Sequence, residues 1–268
     1  SFSDYFFPIV FSSEQFEDKF ASEGGRLDLS VGVFNDEKLV AFILHFIDTV
    51  NGEKRNYNGG TGVIPEFRGN RLTTKMFDFV VPKLHDDKVD KMIQEVLTQN
   101  SSAIKVYESQ GFQITRELNG FKGNLKEAAV KDLAEPYKIV ELKELDWNQL
   151  QSFWDYPPTW QNSNSTMNHL QGQNLHLGIL NDDTVVGYLI YNPKIKRIHQ
   201  MAIDPNHRNI GLGSHLLNRL SAIETQGISI INIDSKTEHF KAFLEKRGLN
   251  NSFDQYEMER KLSRANIK

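Results

Sequence analysis

The sequence predicts a mixed fold of the α+β kind, arranged as two tandem domains that each set a sheet against helices. Three observations predict it. Ile198-His199-Gln200-Met201-Ala202-Ile203-Asp204-Pro205 is an apolar run closed by proline. Arg208-Asn209-Ile210-Gly211-Leu212-Gly213 follows and opens a helical pattern of Leu212, Leu216, Leu217 and Leu220. The same strand–proline–arginine frame stands earlier, at Gly62-Val63-Ile64-Pro65-Glu66-Phe67-Arg68-Gly69-Asn70-Arg71-Leu72-Thr73. Downstream of each copy, residues 106–112 (Val-Tyr-Glu-Ser-Gln-Gly-Phe) are echoed by 243–249 (Phe-Leu-Glu-Lys-Arg-Gly-Leu) at nearly the same offset. A repeat of this period is too long for a solenoid and right for two domains.

A chain of 268 residues can bury two separate cores. Its 39% hydrophobic and 25% charged content is that of an ordinary globular protein. The net charge of −4, without a long basic run, argues against nucleic acid as a partner. The absence of cysteine excludes a disulfide framework, a thiolate metal site and a cysteine acyl-enzyme, and fits a reducing cytoplasm. No apolar run approaches the ~20 residues of a membrane helix, and the start carries no secretory pattern.

Along the chain, 12–20 reads as a short helix in which Ser13 can cap and Phe16 and Phe20 lie at i, i+4. Residues 29–34 and 39–46 form a hairpin by alternation, with Val40, Phe42, Leu44 and Phe46 on one face, and Asn51-Gly52 is a turn pair. The next strand carries Gly59, Gly60 and Gly62. Such density reads as a ligand passing close to the backbone, with an edge bulge as the alternative. A helix over 72–84, a strand over 92–97 and a helix over 101–110 closed by Gly111 follow, then the last strands at 112–121.

The second domain repeats that order: strands at 137–142, 175–180, 184–191 and 228–233, a short helix at 147–154, and a helix over 239–247 ended by Gly248. Residues 155–165, with two prolines and two aromatics, have no counterpart in the first domain. They read as an interdomain plug or a substrate-binding loop. The division is 1–125, a linker at 126–136 within a weakly aromatic stretch, and 137–268.

A strand, a glycine-bearing turn and a helix start make a phosphate cradle, because amide N–H groups converge there with the helix dipole. These residues resemble the GNAT superfamily of N-acetyltransferases. Its motif A is an Arg/Gln-x-x-Gly-x-Gly/Ala loop, and its motif B runs Asn…Tyr-Glu-x-x-Gly-Phe. The resemblance covers both halves. It implies acetyl-coenzyme A as donor, no metal, and a mostly antiparallel mixed sheet splayed at the cofactor. It also implies an amine acceptor, either a small molecule or a peptide N-terminus. The implied cofactor residues are Val63, Ile64, Arg68, Gly69, Asn70, Arg71, Leu72 and Thr73 with Asn100 in the first half. In the second they are Met201, Ala202, Ile203, Arg208, Asn209, Ile210, Gly211, Leu212, Gly213 and Ser214.

The halves keep different parts. The first has Glu95, Asn100, Tyr107 and Gly111-Phe112. This run is similar to that of the ribosomal-protein alanine acetyltransferases, which implies Glu95 as general base and Tyr107 as general acid. Its loop, however, puts Arg71 and Thr73 where the motif has glycine. The second half has the complete loop but Asn232, Thr237 and Leu244 at the positions of Glu95, Asn100 and Tyr107, and leucine gives no proton. His199 stands on the strand before that loop, as a stray base or an ordinary residue. Catalysis is therefore expected in the first domain. The alternatives are catalysis in the second domain, or a chain that holds coenzyme A without turnover.

Overall fold

The computed structural model describes residues 12–262, so the start of the N-terminal domain assigned from residue 1 lies outside the described residues. The chain forms two compact units. Unit 1 runs up to Arg116 and takes in the segment from Gln255 onward; unit 2 is Glu117–Asp254.

Unit 1 begins with α1 (Ser13–Ser22), capped by Ser12 rather than Ser13. The Ser12 hydroxyl accepts from the Gln15 amide at 3.1 Å and the Gln15 side chain accepts from the Ser12 amide at 2.9 Å, a reciprocal box that satisfies two orphan donors. Strands β1 (Val31–Asn35), β2 (Lys38–Val50) and β3 (Glu53–Val63) form an antiparallel meander. Helix α2 (Leu72–Asp86) then crosses to β4 (Lys91–Leu97), which is parallel to β3, and α3 (Ser101–Ser109) follows. Met76, Phe77, Val80 and Leu84 recur at helical spacing on α2 and are all buried, against Ile43, Met92 and Phe112. The glycine-dense strand is a bulge. The β2–β3 register jumps from Leu44↔Gly60 to His45↔Asn58, leaving Gly59 unmatched, and a Cβ there would stand 2.3 Å from the Phe46 ring. Gly59 thus makes room for a neighbour of its own sheet.

The free edge of β4 is closed by the far end of the chain. Strand β11 (Leu249–Lys261) pairs antiparallel with β4 from Gln255↔Leu97 to Lys261↔Lys91. Met258 and Leu262 are buried in the unit 1 core, and the Lys91 ammonium bonds Glu259 at 3.0 Å. The reverse holds in unit 2, where β5 (Gln113–Gly123) pairs with β10 (Ile228–Asp234) through residues 118–123. The compact units therefore differ from the division into 1–125 and 137–268, because each is completed by a strand encoded beyond its sequence repeat.

The rest of unit 2 is an antiparallel run of β6 (Tyr137–Glu141), β7 (Leu175–Asn181), β8 (Thr184–Asn192) and β9 (Arg197–Ile203). Helix α6 (Leu212–Ser221) then leads to β10, parallel to β9, and α7 (Glu238–Lys246) precedes β11. Leu212, Leu216, Leu217 and Leu220 of α6 are buried on one face of the sheet. The short helices α4 (Trp147–Leu150) and α5 (Asn164–His169), with 3-10 turns between them, cover the other through Leu150, Phe153 and Met167. Residues 124–134 carry no helix or strand, yet they are tied down. Ala128 exchanges two hydrogen bonds with the Asn218 side chain, both 3.0 Å, and the Lys126 amide donates to the Arg247 carbonyl at 2.8 Å.

The exchanged strand makes a testable demand. Met258→Ala deletes a fully buried side chain of unit 1 and should cost about 2–5 kcal/mol. The loss should show as faster amide exchange in β4, a segment far away in sequence; unaltered protection of 91–97 would contradict the pairing.

Candidate active site

The two turns that precede α2 and α6 have one geometry. Each follows a single 3-10 turn that starts at proline, Pro65–Phe67 or Pro205–His207. Each then alternates into the left-handed region, at Gly69 (φ 78°) and Arg71 (φ 56°) or at Asn209 (φ 65°) and Gly211 (φ 93°). In both, the arginine that opens the motif turns back on its own strand: Arg68 Nε donates to the Val63 carbonyl at 3.2 Å and Arg208 Nε to the Ile203 carbonyl at 3.0 Å. Arg71 thus adopts the glycine-like conformation as the helix N-cap, at a steric cost of roughly 1–2 kcal/mol, and retains a Cβ on the loop. Gly211 has none, and the nearest atom to a Cβ built there is a Val130 methyl at 4.0 Å.

In unit 2 the strands behind this turn part. The parallel ladder of β9 and β10 holds for Arg197↔Ser229 and Ile198↔Ile230 and then ends. A bulge at His199 shifts the register of β9 against β8, and Asn232 (φ 64°) breaks the register of β10 against β5. The opening is a cavity of about 360 Å³. Its walls are β9 from His199 to Ile203, the turn from His207 to Ser214 without Ile210, β10 from Ile230 to Ile233, and His239, Phe240 and Phe243 of α7. Phe153, Trp154, Asp155, Tyr156, Pro158, Asn162 and Tyr188 close the remaining side.

Met201, Ala202, Ile203, Arg208, Asn209, Gly211, Leu212, Gly213 and Ser214 are thus brought together, whereas Ile210 is exposed and does not line the cavity. The arginine of the motif is committed to the wall. Arg208 bonds Asp155 at 2.7 Å and the Phe153 carbonyl at 2.7 Å, which fixes the aromatic stretch 153–158 beside the turn. Asp155, Tyr156, Pro158 and Asn162 of that stretch line the cavity of their own unit.

A chain of buried hydrogen bonds forms the floor, through residues that sequence patterns did not single out, apart from His199. Trp154 Nε1 donates to the Tyr188 hydroxyl (2.6 Å), which donates to Gln200 Oε1 (2.6 Å), and Gln200 Nε2 donates to the Asn162 carbonyl (2.6 Å). Asn162 Nδ2 donates to the Ile231 carbonyl at 3.2 Å, so its Oδ1 is the atom that faces His199 Nδ1 at 3.0 Å. That assigns the proton to Nδ1. Burial, with Arg197 nearby, pushes the His199 pKa down to about 3, so the imidazole is neutral. Burial likewise raises the Tyr188 hydroxyl well above its ordinary value. The sequence signal for this floor was the irregular 155–165 stretch, which contains Asn162.

Unit 1 arranges its residues differently. Tyr107 is buried, with ring centroids 6.1 Å from both Phe77 and Phe112. Glu95 accepts a short hydrogen bond from the Tyr57 hydroxyl, where β3 and β4 part after Asn58↔Gln94, while Lys91 goes to Glu259 and Glu53. Asn100 caps α3 by accepting from the Ala103 amide at 3.2 Å. Val63, Ile64, Arg68, Gly69, Asn70, Leu72 and Thr73 surround the first turn, and Asn70 Nδ2 donates to the Phe67 carbonyl at 3.1 Å. Among the described residues, no group of three or more His, Asp or Glu could hold a metal ion.

Comparison with known proteins follows the same repeat. The acetyltransferase (GNAT) family matches residues 2–112 and again 139–248. The fold is similar to a tandem GNAT protein from the clavulanic acid biosynthesis pathway, with TM-score 0.69, 11% identity, and coverage of 91% of this chain and 87% of that one. It is also similar to a GCN5-related N-acetyltransferase from Sphaerobacter thermophilus, at TM-score 0.64, 13% identity, and 87% and 80% coverage. A third similar structure is the one from Kribbella flavida, at 0.59, 10%, and 94% and 95%. No curated protein matches by sequence.

The buried imidazoles predict an acid-sensitive fold. His45 in unit 1, hydrogen-bonded to Asn56 at 3.0 Å, is pushed by burial from 6.5 to about 4, and His199 to about 3. Both are lowered, so the unfolded chain takes up their protons first, and stability falls as pH drops from 6.5 through these values. Each contributes a slope of at most about 1.4 kcal/mol per pH unit. Denaturant titrations between pH 7 and 4 should show a shallower loss for His45→Gln than for the unaltered chain; equal slopes would place the acid sensitivity elsewhere.

Proposed function

This chain belongs to the acetyltransferase (GNAT) family, and on that footing we propose that it transfers an acetyl group from acetyl-coenzyme A to a primary amine, with the donor bound in unit 2. The observation that carries the reading is the coincidence, around one cavity, of the complete glycine turn, the parting of β9 from β10 and the start of α6. The residues fit the cofactor. The amides from Arg208 to Ser214 converge at a helix N-terminus, where the missing Cβ of Gly211 lets a diphosphate approach. The cleft-facing edge of β9 beyond Ile198 has no strand beside it and suits an extended amide-bearing arm. Acetyl-coenzyme A supplies the activated thioester; the protein supplies position.

Positioning by a rigid wall can provide most of such a rate, since an amine attacks a thioester directly. The Arg208–Asp155 pair and the hydrogen-bonded floor hold that wall. His199, neutral and buried, orients rather than accepts a proton at neutral pH. A second reading keeps the chemistry in unit 1, with Glu95 as base and Tyr107 as acid. It is favoured by the Tyr57–Glu95 hydrogen bond, which fixes the carboxylate at the parting of β3 and β4. A third keeps coenzyme A binding without turnover.

Two variants separate these. Gly211→Val puts a branched Cβ on the turn at φ 93° and should weaken coenzyme A binding by calorimetric titration at least about tenfold. Tyr107→Phe keeps the ring packing and should leave turnover within about twofold. If Tyr107→Phe instead lowers kcat by ~10²–10⁴-fold while Gly211→Val turns over normally, the chemistry belongs to unit 1.

A further inference from the structure

The cavity wall opposite α6 and α7 says something about the acceptor, on the premise that the donor binds in unit 2. Its surface is aromatic, from Phe153, Trp154, Tyr156 and Tyr188, and most of its polar groups are spent on one another, His199 Nε2 being the buried atom left without a hydrogen-bond partner. The Trp154–Tyr188–Gln200–Asn162 chain uses its donors internally, and the Asn162 Oδ1 accepts from His199 Nδ1. The charged groups at this wall are equally committed. Arg208 is bound to Asp155 and two carbonyls, and His207 lies 3.5 Å from the Asp204 carboxylate. His239, the remaining titratable lining residue, is exposed on the first turn of α7.

Such a wall offers no carboxylate to an ammonium and no cation to a carboxylate or phosphate. Bringing either charge against it would leave that charge unpaired in an aromatic lining. The buried imidazole on it, His199, is too weak a base to strip a proton from an alkylammonium, since burial pushes its pKa down to about 3. We propose that the acceptor is a weakly basic aryl amine, an aniline-type molecule whose nitrogen is uncharged at neutral pH and whose ring stacks on the aromatic stretch 153–158. The aryl nitrogen, with its lone pair already free, forms the new C–N bond to the acetyl carbon. The thioester C–S bond breaks, and the proton lost by nitrogen departs with sulfur as the thiol. The products are an N-aryl acetamide and free thiol, so atoms and charge balance without a further reactant.

The test is a panel of acceptors at fixed acetyl-coenzyme A, followed by thiol release: aniline and 4-methylaniline, against benzylamine, lysine, phenylalanine and spermidine. The expected result is a kcat/KM for the anilines on the order of a hundredfold or more above that for the amines carrying charge. Preference for lysine, phenylalanine, spermidine or benzylamine would overturn the proposal, and so would thiol release from none of the panel. A parallel calorimetric titration with coenzyme A distinguishes the premise from the inference. Binding that is lost in Gly211→Val, together with a charged preferred acceptor, sinks the aryl-amine assignment alone. If the titration shows no binding, or binding indifferent to Gly211→Val, the donor-site reading fails first.

Discussion

Two parallel strands that pair over only two residues before parting are the constraint on which the rest of unit 2 depends. A sheet interior normally satisfies every backbone group by its neighbour, so a parting has to be stabilised from outside the ladder. Here a bulge at His199 and a left-handed Asn232 turn the two strands away from each other. The side chains that follow the bulge then bind to the 153–162 stretch instead of to the next strand: His199 and Gln200 both reach Asn162, and Asn232 bonds the Thr159 hydroxyl at 2.8 Å. The irregular stretch is what the opened sheet leans on. Apart from His199 Nε2, which is left without a partner, its buried polar groups are paired with one another, and such pairing rigidifies a site.

Unit 1 shows what the same topology does without that support. Its turn keeps the alternating left-handed backbone at Gly69 and Arg71, and its parallel strands also part, after Asn58↔Gln94. The parting is lined by Tyr57 and Glu95, which bond each other, and the helix aromatic Tyr107 packs edge-on to Phe77 within the core. Motif residues are therefore present in each half, and in unit 2 the turn, the strand and an aromatic wall converge on the cavity described above.

Much of this was legible along the chain. The repeat, the strand–turn–helix order and the apolar periodicity of α2 and α6 follow from local steric and solvation rules, and the structure holds them within a residue or two. The glycine turn of unit 2 was readable too, since a left-handed N-cap next to an apolar strand leaves a signature in residue type. The capping position slipped by one because Ser12 and Ser13 are both competent, and only the Gln15 side chain selects between them. Among the dense glycines of β3, Gly59 records that space is needed without recording who fills it, and Phe46 does.

What the sequence determined by itself is the number of repeats, the order of their elements and the placement of two turns ahead of helices, all set by interactions among residues near in the chain. Tertiary structure alone decided which strand completes which unit. The residues of β11 alternate weakly and mostly polar, and its partner β4 is recognised through the Tyr256 and Met258 contacts and the Lys91–Glu259 pair, between positions remote in sequence. It also decided the floor of the cavity. Trp154, Asn162, Tyr188, His199 and Gln200 carry no common spacing, and their hydrogen bonds exist only once the sheet has parted and the 153–162 stretch has folded against it. A motif is visible when neighbours in sequence are neighbours in space; a wall assembled from three separate segments becomes visible only when the chain has folded.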